Sequence, residues 1–521
     1  MFQAPLYLEP LPGSSEEIAQ FHKLQRRLAP MYQHAFDDRR APRTVVVVPS
    51  LTLDPHELAK ISGIHHYEER MLCLLMLLQY PRTHIIYVTS HPLHQDIIDY
   101  YLHLLPGIPS HHAKNRLTLL TCYDSSIKPL TQKMLERPRL LQRIRDITVV
   151  PEDSHITCFN TTALERTLSV QLGLPLYACD PDLCYLGSKS DGRRIFREAG
   201  ILHPDGFEDL RDQEDIVQAL TDLKLKQPEL RKAVVKLNES FSGEGNAVFS
   251  FMGAPKAPKQ VLANWVHKEL PQRLKFEAKG ETWETYLQKF KSMQGIVEAW
   301  IDGDNKKSPS VQCRINPLKE VEVLSTHDQI LGGPSGQIFL GCSFPAADAY
   351  RKPIQTDGHA IGQVLAKYGA LGRFAVDYIS VQEEDQWKHY AIEINLRKGG
   401  TTFPYLMLEF LLNGKFDIET GLYLTRNKQP RYYYASDNLQ NLAYQGLTPD
   451  DLIDIMVYNN LHYHSANQQG VVFHLMGALS EFGKFGVVCI GDTPAKAYQL
   501  YKETEQTLTR EMSAPRSRQI D

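Results

Sequence analysis

The chain has 521 residues, 42% hydrophobic and 23% charged, an ordinary soluble-protein balance at a length that points to about three domains. Lys and Arg number 57 against 61 Asp and Glu, a net charge of −4 with no long run of one sign. That balance argues against nucleic acid or a membrane surface as partner, and leaves room for a local basic pocket.

Residues 1–40 predict a helix over SSEEIAQFHKLQRRLAPMYQ, capped by Ser14 or Ser15. The preceding residues carry Pro and acids where a secretory leader needs a basic start, so a cytoplasmic location is expected. TVVVVPS (Thr44 to Ser50) is too apolar for an exposed strand and reads as the first central strand of a parallel sheet. A helix around HHYEERMLCLLMLLQYP follows, ending at Pro81; its apolar run, Met71 to Leu78, is far shorter than the roughly 20 residues of a bilayer span. Strand HIIYVTS, helix LHQDIIDYYLHLL, strand RLTLLTCYD and a basic helix to about Arg145 continue the alternation, and ITVVP (147–151) with helix TTALERTLSVQLGLP closes it. This is a βαβ pattern without a Gly-rich phosphate fingerprint. Ser50 and Ser90 stand at strand ends where such sheets bind ligands, although ordinary turn residues is the commoner reading.

From Cys179 the character changes. A helix capped by Ser188 and ended at Gly200 crowds Lys189, Arg193, Arg194 and Arg197, which reads as a solvated basic face or as cations around an anion. AVVKLNESFSGEGNAVFSF reads as a β-hairpin with Lys236 in its apolar strand and Ser240, Ser242, Gly243, Glu244 and Gly245 in its turn. A buried Lys wants an anionic partner and a Ser/Gly loop offers N–H groups to phosphate, but the sequence is not a P-loop. Glu298 lies in the apolar strand GIVEAWIDGDN, where it needs donors: an adenine amino group, or a structural Arg or Lys. Arg314 falls in the next strand, and His327 and Asp328 precede the turn GGPSG between two short strands.

After helix HAIGQVLAKYGALG come GRFAVDYI and, past a polar turn, AIEINLRKGGTTFP. Alternation puts Glu393 and Asn395 on one face, and Asp377 joins them if the two strands pair. Hard oxygen donors of this kind suit Mg²⁺, and Arg397 and Lys398 beside two glycines suit phosphate. Taken alone, the segment reads equally as a polar edge strand with a Gly-Gly turn. A Tyr-rich segment then leads to a small unit of helix, two strands (GVVFHLM and KFGVVCIG) and a helix N-capped by Thr493. The eight cysteines form no CxxC pair, as expected of reduced thiols.

The order Lys189, Lys236, Glu298, Arg314, Asp377, Glu393, Asn395, Arg397 resembles the ATP-grasp superfamily. STHDQILGGPSGQ, GRFAVDYI and EINLRKGGTTFP are similar, more narrowly, to the pheganomycin peptide ligase family. The resemblance implies a mixed α/β and α+β fold: a βαβ pre-ATP-grasp domain (1–170), a two-lobed ATP-grasp core (171–425) and a small α+β C-terminal domain (430–510). It implies ATP with one or two Mg²⁺ ions. Lys189 and Lys236 then meet the α- and β-phosphates, and the loop Ser242, Gly243, Glu244 and Gly245 covers the β/γ-phosphates. Glu298 with the backbone at Ala299, Trp300 and Ile301 holds adenine. Asp377, Glu393 and Asn395 hold metal, while Arg314 and Arg397 face the transferring phosphoryl group beside catalytic Lys236. His327 is a candidate substrate contact, and Arg373 receives no role. The implied activity is carboxylate–amine ligation through an acyl phosphate, with small-molecule acid and amine or peptide partners, no nucleic acid and no membrane, and a homodimer left open. The alternatives are a non-catalytic nucleotide-binding scaffold and a kinase that stops at a phosphorylated product.

Overall fold

The computed structural model describes residues 10–513 except 39, 54, 149, 240–244, 279, 333–335, 337 and 385. The first sheet is parallel, built from β1 (Arg43–Val48), β2 (Thr83–Thr89), β3 (Leu117–Thr121) and β4 (Ser154–Cys158) in the order β3-β2-β1-β4. β1 is buried over Thr44–Val48, as β-branched residues covered on both faces should be. The strand expected at 147–151 begins instead at Ser154. Pro151 has no N–H to give a ladder and opens a short 3₁₀ turn that delays the strand. The single N-terminal helix divides into Ser15–Gln25, capped by the Ser14 side chain, and Leu28–Asp37.

The segment Ile64–Gln79 is a 3₁₀ helix, and Glu68–Met76 are buried on every side of it. It packs against β2 and helices Gln95–His103 and Thr402–Leu412, which accounts for an apolar run with no polar face.

The smaller lobe of the middle region is an antiparallel sheet of β5 (Gly206–Leu210), β6 (Lys232–Leu237), β7 (Asn246–Ser250), β8 (Lys275–Phe276) and β9 (Gly295–Ala299), ordered β5-β9-β6-β7-β8. Helices Gln213–Lys226 and Lys259–Arg273 pack on it around a core that includes Val235, Phe249 and Tyr286. The larger lobe joins β10 (Lys306–Lys307), β11 (Pro309–Ile315), β12 (Val321–Gly332), β13 (Ile338–Phe344), β14 (Gly372–Glu383) and β15 (Gln386–Asn395). Its order runs β15-β14-β11-β12-β13, with β10 on the far end of β14.

The sheet does not stop there. After β16 (Lys415–Asp417) and β17 (Leu422–Leu424), the Tyr-rich segment becomes β18 (Pro430–Gln440), which pairs with β13. β19 (Gly470–His474) and β20 (Lys484–Gly491) extend from β18, so the C-terminal strands continue the large sheet. One apolar cluster accordingly takes in Val45, Leu75, Leu408, Phe473 and Leu508.

Candidate active site

A cleft of about 910 Å³ lies between the two lobes. Lys189, Lys236, Glu298 and the strand end Ala299 to Ile301 line one side; Asp377, Glu393, Asn395 and Arg397 line the other. The second group meets because β14 and β15 form a hairpin whose register sets Asp377 opposite Glu393 and Ala375 opposite Asn395, with a bulge just after Asp377. Asn395 Nδ2 donates to Asp377 Oδ2 at 2.9 Å, and Gln329 Nε2 to Oδ1 at 2.6 Å. Burial and the neighbouring Glu393 charge push the Asp377 carboxyl up to about 6. Burial works against the Glu393 charge too, but Lys189, Arg397 and Lys236 together hold its carboxyl below the ordinary range. Lys189 Nζ lies 3.2 Å from Glu393 Oε1.

Two carboxylates of adjacent strands are thus pressed together, with an amide beside them. This donor set, all oxygen, fits Mg²⁺.

On the opposite lobe, Lys236 reaches Glu298 across β6–β9, and Arg193 Nη1 lies 3.3 Å from the same carboxylate. The structural-partner reading of Glu298 therefore describes its side chain, while the Ala299 and Trp300 N–H groups donate to the Asp205 and Lys232 carbonyl oxygens at 2.8 and 3.2 Å and the Ile301 carbonyl accepts from Lys306 Nζ at 3.1 Å. Lys306 lies 4.5 Å from the centre of the Trp300 ring. The basic run after Ser188 is also paired: Arg193 and Arg197 each meet Glu208 at 2.6 Å, and Arg194 meets Asp191 and Asp209. Arg194 and Arg197 stay about half exposed, so this part of the run is a solvated face paired with carboxylates, while Arg193 and Lys189 are buried.

Two expectations change. Arg314 does not join the cleft. It sits opposite Arg373 on β11–β14, bonded to Glu322 at 2.5 Å, and lines a second cavity. The alternation that sends Asp377 into the cleft carries Arg314 four residues farther along the same face. His327 is fully buried, with Nε2 2.6 Å from the Tyr433 hydroxyl and its ring against Phe344, and burial pushes its pKa down to about 3. It is a neutral core residue. Ser90 is similarly structural, bonded to Glu68 and Lys133. Ser242, Gly243 and Glu244 lie outside the described residues; the Gly245 carbonyl accepts from the Tyr286 hydroxyl at 3.0 Å.

The cleft also holds residues that the sequence did not single out. Gln329 follows His327 by two positions, an alternation signal that was available. Tyr67, Arg70, Asp437 and Lys484 come from distant segments and give no local signal. Arg70 pairs with Asp437, and Lys484 Nζ donates to the Tyr67 hydroxyl at 2.6 Å.

Comparison with known proteins agrees with this geometry. The model of an IQCH-like ATP-grasp family matches residues 182–268 and 254–419, and that of a PGM1 C-terminal domain matches 451–504. The chain is 25% identical over 474 residues to L-propargylglycine–L-glutamate ligase of Streptantibioticus cattleyicolor, covering 89% of this chain and 94% of that one. It is also 25% identical over 424 residues to IQ motif-containing protein H of Danio rerio, covering 73% of this chain but only 40% of that protein. Among solved structures, Campylobacter jejuni biotin carboxylase shares the fold with a TM-score of 0.53 at 11% identity, over 92% of this chain and 96% of that one. The biotin carboxylase domain of Hydrogenobacter thermophilus 2-oxoglutarate carboxylase scores 0.50 at 11% identity, over 89% of each. Residues 182–419 of the chain thus match an ATP-grasp family model, and the two lobes about the cleft share their fold with these solved structures.

Proposed function

We propose that the protein is an ATP-dependent carboxylate–amine ligase that joins amino acids or peptides through an acyl phosphate and releases ADP and phosphate. The observation that carries this reading is the cleft itself, where Asp377, Glu393, Asn395 and Arg397 face Lys189 and Lys236 across the two lobes. The similarity to L-propargylglycine–L-glutamate ligase over most of both chains supports amino acids as the substrate class.

A carboxylate is a poor acyl donor because oxide is a poor leaving group. Its oxygen attacks the γ-phosphorus of ATP, the bond to the β-phosphate oxygen breaks, and the acyl phosphate forms. An amine then attacks the acyl carbon, loses a proton and expels phosphate. Mg²⁺ held by Asp377, Glu393 and Asn395 would neutralise charge on the β- and γ-phosphates. Lys189 and Lys236, now paired with Glu393 and Glu298, are placed to exchange those partners for phosphate oxygens. The Arg397 guanidinium, which sits 5.8 Å from the centre of the Phe159 ring, faces the transferring group. The backbone from Ala299 to Ile301 takes adenine. The end of the cleft beyond Arg397, with Tyr67, Arg70, Asp437 and Lys484, receives the acid and the amine.

Incubation with Mg·ATP and a mixed amino-acid and peptide library, read by mass spectrometry, tests this. The expected result is a condensed product with amine-dependent release of ADP. ADP release without an amine and with a phosphorylated product points to a kinase instead, and no turnover with tight nucleotide binding points to a scaffold.

A further inference from the structure

A second cavity, of about 380 Å³, lies between the parallel sheet and the larger lobe. It meets Arg43, Thr83 and His155, at or next to the amino ends of β1, β2 and β4, whereas the ATP cleft is reached past Phe159 at their carboxyl side. Ligands of α/β sheets gather at the carboxyl ends, so this is not the substrate end of the cleft. The segment after β15 separates the two spaces: Arg397, Gly399 and Thr401 line the first, and Lys398 lines the second.

The walls are of two kinds. Leu28, Met31, Leu74, Leu77, Leu406 and Phe410 form an apolar body. At one end the strand register sets Arg314 directly opposite Arg373, an arrangement that repels unless negative charge lies near. Glu322 meets Arg314 at 2.5 Å and Glu409 lies 3.8 Å from Arg373. Those partners leave donors over. Arg314 Nε, Arg373 Nη1 and the Tyr177 hydroxyl are buried without a hydrogen-bond partner among the described residues. Unmade bonds of this kind are costly in a folded protein. Lys398 adds a further cation, its Nζ 3.1 Å from Thr157 Oγ1.

We propose that this cavity binds an amphipathic monocarboxylate, its two oxygens taking the spare donors of Arg314, Arg373 and Tyr177 and its apolar tail lying along Met31, Leu74 and Leu406. Guanidinium groups match the planar, two-oxygen shape of a carboxylate. Both arginines already face glutamates, so a dianionic phosphate would meet too little positive charge. Two sources share the chemistry, a medium-chain fatty acid and the carboxyl terminus of an apolar peptide. The inference is independent of the ligase reading, since binding is read without turnover.

Calorimetric titration of the full-length protein with octanoate and with N-acetyl-L-leucine tests it, with 1-octanol, N-acetyl-L-leucinamide and inorganic phosphate as controls. A carboxylate should bind at least about tenfold more tightly than its uncharged counterpart, and saturating Mg·ADP should leave that binding in place. The tighter of the two carboxylates names the source. Arg373→Gln and the cavity-filling Met31→Trp should each weaken binding about tenfold or more, in protein that keeps its circular dichroism and its stabilisation by Mg·ADP. No carboxylate binding at millimolar concentration overturns the proposal. So does equal binding of the uncharged controls, tighter binding of phosphate, displacement by Mg·ADP, or unchanged binding in both variants.

Discussion

At the residue scale, Glu393 and Asp377 differ in what they ask of their surroundings. Glu393 is held charged by three cations, so Glu393→Ala should remove one of the proposed metal ligands and the carboxylate that meets Lys189. Amine-dependent ADP release is expected to fall by about 10²–10³-fold, the usual cost of one well-aimed charge-stabilising group, with the thermal transition intact. Asp377 is in the opposite position. Its folded pKa, near 6, stands above the unfolded carboxylate value, so the folded state binds the proton more tightly. Nucleotide-free stability therefore falls as pH rises from about 4 to 6 and stays low above that. Asp377→Asn removes this penalty and should raise the melting temperature of the free protein at pH 8, while abolishing the extra stabilisation that Mg²⁺ adds to ADP. A variant no more stable than wild type at pH 8 would argue that Asp377 is not under charge pressure.

At the element scale, strand β9 depends on having no side chain at its first residue. A Cβ on Gly295 would lie 2.2 Å from the Lys236 carbonyl oxygen and 2.5 Å from the Phe290 ring. Gly295→Ala should therefore push β9 away from β6 and cost about 1–3 kcal/mol. Because β9 leads into Ala299 to Ile301, the same change should weaken ADP binding in fluorescence titration; unaltered affinity would detach this strand from the nucleotide site.

Elements of this kind were legible where the pattern is local. The β14–β15 hairpin, its shared Asp377/Glu393 face and the capped helix after Ser188 all follow from alternation and capping. Arg314 was not legible. Period-2 alternation tells which face a side chain takes, but how far along that face the cleft extends is set by the packing of a distant segment. Glu298 was half legible, since burial demands a partner but does not say which. The C-terminal strands misled for a related reason: hydrogen bonding of β18 to β13 is a long-range pairing with no trace in either strand.

At the scale of the whole molecule, sheet and core cross the domain boundaries that the resemblance implies. The apolar cluster takes residues from β1, the 3₁₀ helix, helix Thr402–Leu412, β19 and the last helix. A fragment of residues 1–170 would expose Met71 to Leu78 to water, so it should aggregate or bind a hydrophobic dye when expressed alone. The full chain should lose its N-terminal and C-terminal structure in one thermal transition. Two separate calorimetric transitions, or a soluble fragment with dispersed NMR signals, would contradict this. Within the cluster, Leu75→Ala should cost about 2–5 kcal/mol, because Leu75 is fully buried.

The 3₁₀ helix Ile64–Gln79 carries a consequence for how such a chain can change over time. Its side chains meet the parallel sheet, helix Thr402–Leu412 and β19 at once, so a volume gained on one side must be surrendered on another. Drift in this stretch is therefore expected to proceed by paired exchanges, with a larger residue here matched by a smaller one more than three hundred positions away. A library that randomises Leu75 together with Leu408 should yield folded variants that neither position tolerates alone.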